Sequence, residues 1–272
     1  MIAEWRGVGR ELPPIDAKPS ASFRLVSMAG RRHLSLLRES LHSFARHVSQ
    51  IPPLTVLSDG TLGRADFEAA LSFWPNPVEV WMPSDVMDSL SPELRSLIDP
   101  LVKANPLGLK LAGVIAMSSR GPIFFSDSDI LWFSDPLPQL KRSIGNFKIA
   151  VSREEGCSVN RELAKKYAPE LLKAPSANSG CILTNYDLAT EVLLSELLVE
   201  ASNQLGDEFN EQTIFGILSH IRGGYFPSEL CLIAFEDAFY FNNRNPRKED
   251  YCSRHYVRFM RHQFYRDIHK TQ

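Results

Sequence analysis

Three features of this 272-residue chain predict an α/β fold, a mainly parallel mixed sheet with helices on both faces. Strand-like and helix-like patterns alternate through most of its length. Several of the strand-like segments are short, unbroken apolar runs, the mark of strands buried on both faces. The composition, 44% hydrophobic and 23% charged, suits one globular domain large enough to bury a core without staples.

The elements follow in order. Residues 1–22, with Pro13, Pro14 and Pro19, read as an irregular arm. Phe23 to Met28 reads as a strand. Leu34, Leu37, Leu41, Phe44 and Val48 recur at spacings of three and four, which places them on one helical face. Leu54 to Leu57 is a second strand, closed by the turn signal Asp59-Gly60. A helix is expected over 66–74 and a strand over 78–82. Ser91-Pro92-Glu93 is a helix start: a hydroxyl cap, proline at the first position and an acid in the first turn. Ile123-Phe124-Phe125, Ile149 to Val151 and Cys181 to Leu183 are buried strands. One helix is expected from about 188 to 205, with Leu194, Leu197, Leu198, Ala201 and Leu205 on its inner side. Another runs from an Asn210 cap to about Ser219.

Composition excludes several classes. Thirty basic and 32 acidic residues nearly cancel, so the whole chain is no polyelectrolyte partner for nucleic acid. No apolar run reaches the roughly 20 residues that span a membrane. The N-terminus lacks the apolar stretch of a secretory signal, so a cytoplasmic protein is expected. Cys157, Cys181, Cys231 and Cys252 form no C-x-x-C pair and read as reduced, mostly buried thiols. Charge is uneven. Residues 242–272 carry eight Lys and Arg against Glu249, Asp250 and Asp267, a net of +5, so the other 241 residues sum to −7. A basic end on an acidic body points to a local anion site or a solvated tail.

The chemistry concentrates in Phe124-Phe125-Ser126-Asp127-Ser128-Asp129-Ile130. In extended geometry, residues two apart face the same side. Asp127 and Asp129 can therefore converge on one cation beyond a buried strand. In sheets of this class, ligands bind past the carboxyl ends of the strands. Two anions beside apolar residues favour a hard divalent ion such as Mn²⁺ or Mg²⁺.

The surrounding order resembles the nucleotide-sugar transferases of the A-type glycosyltransferase fold, and within them the group of glycogenin and the lipopolysaccharide galactosyltransferases. Lys110 precedes the strand, Asp127-Ser128-Asp129 follows it, and Asp135-Pro136 comes next. Asn178-Ser179-Gly180 is similar to that group's N-S-G strand, Asn210-Glu211-Gln212 to its D-Q helix start, and His255 onward to its C-terminal H-x-x-G-x-x-K element. The likeness spans about residues 23–262. It implies one transferase domain over 23–272, including the basic C-terminal segment 242–272. It also implies a UDP-sugar or similar nucleotide diphosphate sugar donor, an unknown acceptor and retention at the anomeric carbon. The metal ligands it implies are Asp127, Asp129 and His255. Lys110, Asp127, Asn178, Ser179, Arg258 and Arg261 would bind substrate, and Glu211 and Gln212 would stand at the reacting sugar. The chain departs from the pattern in four places. Arg258 replaces a glycine, Arg261 a lysine and Glu211 an aspartate, and the first strand ends in Ser27-Met28-Ala29-Gly30 rather than the usual base-binding residues.

Spacing by three suggests that His255, Arg258 and Arg261 share a helical face. Asn242 to Pro246 could hinge this segment over the diphosphate. Three other functions compete. A metal-dependent phosphohydrolase also uses D-x-D, but after its first strand. A nucleic-acid module could use the arginines and aromatics of 254–266, against which the acidic remainder argues. A transferase fold without activity would only bind nucleotide sugar. Gly7-Val8-Gly9 lacks the third glycine and the preceding strand of a dinucleotide fingerprint.

Overall fold

The computed structural model describes residues 23–233 and 251–268, together with Leu12, Pro13, Ile15, Lys18 and Pro19. Gly7-Val8-Gly9, the expected 242–246 hinge and most of the expected arm lie outside the described residues. The chain opens with β1 (Lys18–Pro19), β2 (Arg24–Ala29), α1 (Leu34–His47), β3 (Gln50–Ile51), β4 (Leu54–Ser58), α2 (Arg64–Ala70) and β5 (Val78–Trp81). The helices α3 (Pro83–Asp88), α4 (Pro92–Ala104) and α5 (Pro106–Ser118) follow, then β6 (Ile123–Ser126), β7 (Ile130–Trp132), α6 (Leu137–Asn146) and β8 (Ile149–Glu154). After α7 (Arg161–Tyr167) come β9 (Ser176–Thr184), α8 (Val192–Ser202), α9 (Asn210–Arg222), β10 (Gly224–Tyr225), β11 (Cys231–Ile233), β12 (Ser253–His255) and α10 (Arg261–Asp267).

The main sheet has the order β10-β8-β9-β6-β2-β4-β5. Its strands are parallel except β9, which runs against both β6 and β8. Neighbouring residues along the central strands serve opposite cores, as the period of two requires. Leu25, Phe124, Ala150 and Leu183 pack with α1, α2 and α6; Val26, Phe125, Val151 and Ile182 pack with α4, α5, α8 and α9. Both faces are therefore apolar, which explains the unbroken apolar runs. A smaller sheet, β11-β12-β7, carries the C-terminal segment, and Tyr256, Met260 and Phe264 pin that segment against Leu36 and Leu131.

Three local expectations change. The single helix over 188–205 is a short 3-10 turn, Leu188–Thr190, followed by α8. The Glu191 carboxylate accepts from Leu193 N–H and starts a new helix, and Leu205, expected inside, is exposed. The helix expected over 66–74 runs from Arg64 to Ala70; it starts earlier because Asp66 reaches back to the Gly63 N–H at 2.9 Å. Asn210 does not cap α9. It is the first helical residue, and its buried amide accepts from Asn160 Nδ2 at 2.7 Å and donates to Gln204 O at 2.8 Å. Ser91 does cap α4, accepting from Leu94 N–H.

Candidate active site

The segment after β6 is clamped by its backbone. Asp127 N–H donates to Gly180 O at 2.8 Å, and Tyr256 N–H donates to Asp129 O at 2.9 Å. The D-x-D turn thus lies between β9 and the end of β12. His255, the last residue of β12, brings its Nε2 to 3.1 Å from Asp129 Oδ1 and 3.6 Å from Asp127 Oδ2. One ligand atom from each of the three residues falls within 4.8 Å of the others. Burial opposes charge on the imidazole, but Asp129 and Asp127 outweigh it and raise His255 to about 9. Burial likewise opposes the Asp129 carboxylate, yet His255 and Arg261 hold it well below the usual carboxylate range.

Lys110 on α5 is fully buried beneath this cluster. Its Nζ donates to Ser179 O at 2.8 Å and Ser179 Oγ at 3.2 Å, and lies 3.2 Å from both Asp127 Oδ1 and Glu211 Oε1. Burial works against the ammonium, but the two carboxylates raise its pKa above the ordinary lysine value. Through these contacts it joins the D-x-D turn, β9 and α9. Burial pushes the Glu211 carboxyl up, Asp127 adds to this and Lys110 opposes it.

A bulge in β9 presents the N-S-G residues. Val151 pairs with Ile182, but Ser152 pairs with Asn178, so 179–181 have no partners on β8. Bulges re-aim side chains, and they recur beside active sites. Here Ser179 Oγ donates to Glu211 Oε2 at 2.9 Å, and Ser179 N–H to Gln212 Oε1 at 3.2 Å. The other end of the Gln212 amide donates to Ser158 O at 2.6 Å. Asn178 turns toward His255, its Oδ1 3.3 Å from Nδ1.

His255, Arg258 and Arg261 do not share a helix, as their spacing suggested. His255 ends a strand, Arg258 begins a 3-10 turn and Arg261 begins α10. The three nevertheless reach one cleft. Arg261 Nε donates to Asp129 Oδ2 at 2.8 Å, and its Nη1 stands 3.2 Å from His33 Nε2. Burial, then Arg261, lowers the His33 pKa, so a neutral ring accepts from the guanidinium. Arg258 has φ +49° in the left-handed region, at the position where the resembled element carries glycine. Its side chain pairs with Glu208 at 2.6 Å and stacks over Phe209. Arg254 is not a nucleic-acid contact: it is buried and pairs with Asp267 at 2.8 Å.

The cleft measures about 910 Å³, and all ten residues singled out in the sequence line it: Lys110, Asp127, Asp129, Asn178, Ser179, Glu211, Gln212, His255, Arg258 and Arg261. Sequence reasoning missed Glu154 and His33, which also line the cleft. The signal for Glu154 was strand parity: it ends β8 two residues beyond buried Ser152 and faces inward while Arg153 faces out. His33 carried no local signal, because it owes its importance to Arg261, far along the chain. Three of the four cysteines are buried and all are free, as expected; Cys157 is exposed. Among the described residues no helix is long and apolar enough to cross a membrane.

No protein-family model matches the chain, and no curated protein matches it. Solved structures do. Mouse xyloside xylosyltransferase 1, in its apo form, is 15% identical, with a TM-score of 0.54 over 86% of this chain and 96% of its own. The galactosyltransferase LgtC in complex with donor and acceptor sugar analogues is 13% identical, with a TM-score of 0.54 over 91% of this chain and 95% of its own. The glycosyltransferase GlyE of Streptococcus pneumoniae TIGR4 in its apo form is 12% identical, with a TM-score of 0.56 over 93% of this chain and 60% of its own. The fold is therefore the A-type glycosyltransferase fold that the motif order implied.

Proposed function

We propose that this protein is a metal-dependent glycosyltransferase. It moves a sugar from a nucleotide diphosphate donor, of which a UDP-sugar is the first to test, to an acceptor, with retention at the anomeric carbon. The observation that carries this reading is the convergence of Asp127, Asp129 and His255 in a cleft at the carboxyl end of β6. Solved glycosyltransferases of the same fold support it.

The donor set fits Mn²⁺ or Mg²⁺. Two carboxylates and one imidazole give a hard, oxygen-rich site with positions left for phosphate oxygens. Asp127, Asp129 and His255 would hold the ion, which when bound acts as a Lewis acid and stabilises the departing diphosphate. Arg261 and Arg258 line the cleft together with His255 and would bind phosphate oxygens through charge-assisted hydrogen bonds. Asn178, Ser179, Glu211 and Gln212 would shape the donor-sugar pocket over the β9 bulge. Lys110 fixes this floor, holding Asp127, Ser179 and Glu211 at set distances.

Retention is supported by the state of the carboxylates beside that pocket. An inverting enzyme needs a carboxylate base at the acceptor hydroxyl. Glu211 is engaged by Lys110 and Ser179, and Glu154 by Ser158 N–H and Asn178. Neither is available as a mobile base.

The test is a thermal-shift panel of nucleoside diphosphates and nucleotide sugars with and without Mn²⁺, followed by proton NMR of fresh product. UDP with Mn²⁺ should raise the Tm by mass action, more than either alone. The anomeric coupling constant of the product should match that of the donor. If no nucleoside diphosphate shifts the Tm in the presence of Mn²⁺, the transferase reading is wrong. Inverted product would overturn retention alone.

A further inference from the structure

We infer that Asn178, oriented by Glu154, is the positioning residue that aims the His255 imidazole at the carboxylate pair. This rests on the reading of Asp127, Asp129 and His255 as a metal site.

The orientation of the Asn178 amide is fixed from two sides. Its Nδ2 donates to Glu154 Oε2 at 2.9 Å, and its Oδ1 accepts from Gly180 N–H at 2.9 Å. A flipped amide would set NH₂ against N–H and oxygen against carboxylate. Glu154 is itself held, because its Oε1 accepts from Ser158 N–H at 2.9 Å. The Asn178 oxygen therefore faces His255 Nδ1 at 3.3 Å, and Nδ1 must be the donor. That leaves Nε2 toward Asp129 Oδ1 and Asp127 Oδ2. Glu154, Asn178 and His255 are all buried, so water does not compete for these bonds. A carboxylate, an amide and an imidazole thus form one chain ending at the candidate ligands. Metal-bound histidines depend on such an acceptor for ring orientation, and losing it weakens metal binding by about 10–100-fold. A contact from Asn178 to the donor sugar would be a separate property of the same residue.

The test measures Mn²⁺ affinity of the full chain by electron paramagnetic resonance, with Mn²⁺ alone and with saturating UDP. Two variants are compared. Asn178→Leu keeps the shape and removes the acceptor. The double variant Glu154→Gln with Asn178→Asp exchanges amide and carboxylate while keeping every hydrogen bond and the net charge. The first should lose about 10–100-fold in Mn²⁺ affinity; the second should stay within about threefold of wild type. A hydrogen-bonded His255 Nδ1–H resonance should be present in wild type and the double variant and absent from Asn178→Leu. A residue serving only the sugar would leave Mn²⁺ affinity unchanged in Asn178→Leu and alter donor KM alone, which overturns the inference. So does a double variant that folds but binds Mn²⁺ as weakly as the leucine variant, and that arm decides alone if Asn178→Leu fails to fold. If wild type binds no Mn²⁺, the metal reading fails, and the Nδ1–H resonance decides the positioning role by itself.

Discussion

The ring of His255 occupies the space of the missing side chain at Gly180. A Cβ built at residue 180 would lie 2.4 Å from Nδ1 and 2.5 Å from Cε1, and 2.9 Å from Asn178 Oδ1. The glycine of the N-S-G motif is thus required by a histidine 75 positions later. Gly180→Ala should displace the imidazole from the carboxylate pair. The expected result is a folded protein, lower in Tm, with Mn²⁺ binding reduced about tenfold or more. Unchanged Mn²⁺ affinity, with the ring in place in a crystal of the variant, would refute the steric argument.

Asp129→Asn removes an anionic ligand from the buried cluster. Losing several kcal/mol of charge stabilisation should lower turnover by about a thousandfold. His255 and Arg261 both lose a charged partner, so a modest fall in Tm accompanies the loss. Activity equal to wild type in chelator-treated buffer would contradict the metal role.

Lys110→Met leaves Glu211 and Asp127 facing each other without the buried ammonium. Removing one partner of a buried ion pair typically destabilises by about 3–5 kcal/mol. The lower end is expected here, since burial pushes the Glu211 carboxyl up and so lessens the charge left uncompensated. Adding Glu211→Gln should restore part of the loss, because the uncompensated charge is then gone. Urea unfolding of the two single variants and the double variant measures this coupling, and strict additivity would show that the pair does not interact.

Arg258 separates side-chain from backbone effects. At φ +49° any residue with a Cβ is strained, whereas glycine is not. Arg258→Gly should therefore be more stable than Arg258→Ala by about 1 kcal/mol. Both should weaken binding of UDP with Mn²⁺ equally, by about 1.5–3 kcal/mol, the range for a charged hydrogen bond. Equal stabilities in thermal unfolding would argue against the left-handed backbone.

Glu191 ties the start of α8 to Arg222 at the end of α9, with the guanidinium Nε 2.9 Å from its carboxylate. The Arg222 hydrogen bond lowers the Glu191 pKa first; burial opposes, and Leu193 N–H and Lys148 assist. The neighbouring Tyr186 is pushed up to about 12 and stays neutral. A depressed carboxylate stabilises the fold above its unfolded pKa and loses that contribution as pH falls through the folded one. Glu191→Gln should thus be less stable than wild type at pH 7, with the difference in Tm shrinking as acid protonates the Glu191 carboxylate. A difference that stays constant as the pH falls would count against the ion pair.

Several features of the site are local properties of the chain and were legible in it. An apolar run followed by Asp127-Ser128-Asp129 specifies a buried strand with two carboxylates just past its end, because strand parity and burial act over neighbouring residues. The α/β alternation was readable for the same reason. Helix ends were read less well where two signals competed. Asn210 looks like a cap, yet its amide is drawn to Asn160, 50 residues away, and Phe209 takes the cap position.

The sequence by itself determined which strands are buried, where the carboxylates lie and that His255 belongs with them by motif order. Only the tertiary structure decided how these groups are held. Lys110 could have been a surface charge or a phosphate contact; packing α5 under the sheet buries it among Asp127, Ser179 and Glu211. Glu154 looked like one acid among several, and the antiparallel pairing of β8 with the bulged β9 sets it against Asn178. These contacts join residues 17 to 101 positions apart. The physical reason is that charge pairing, steric exclusion and hydrogen-bond orientation depend on distance in space, which the chain fixes only when the whole sheet closes.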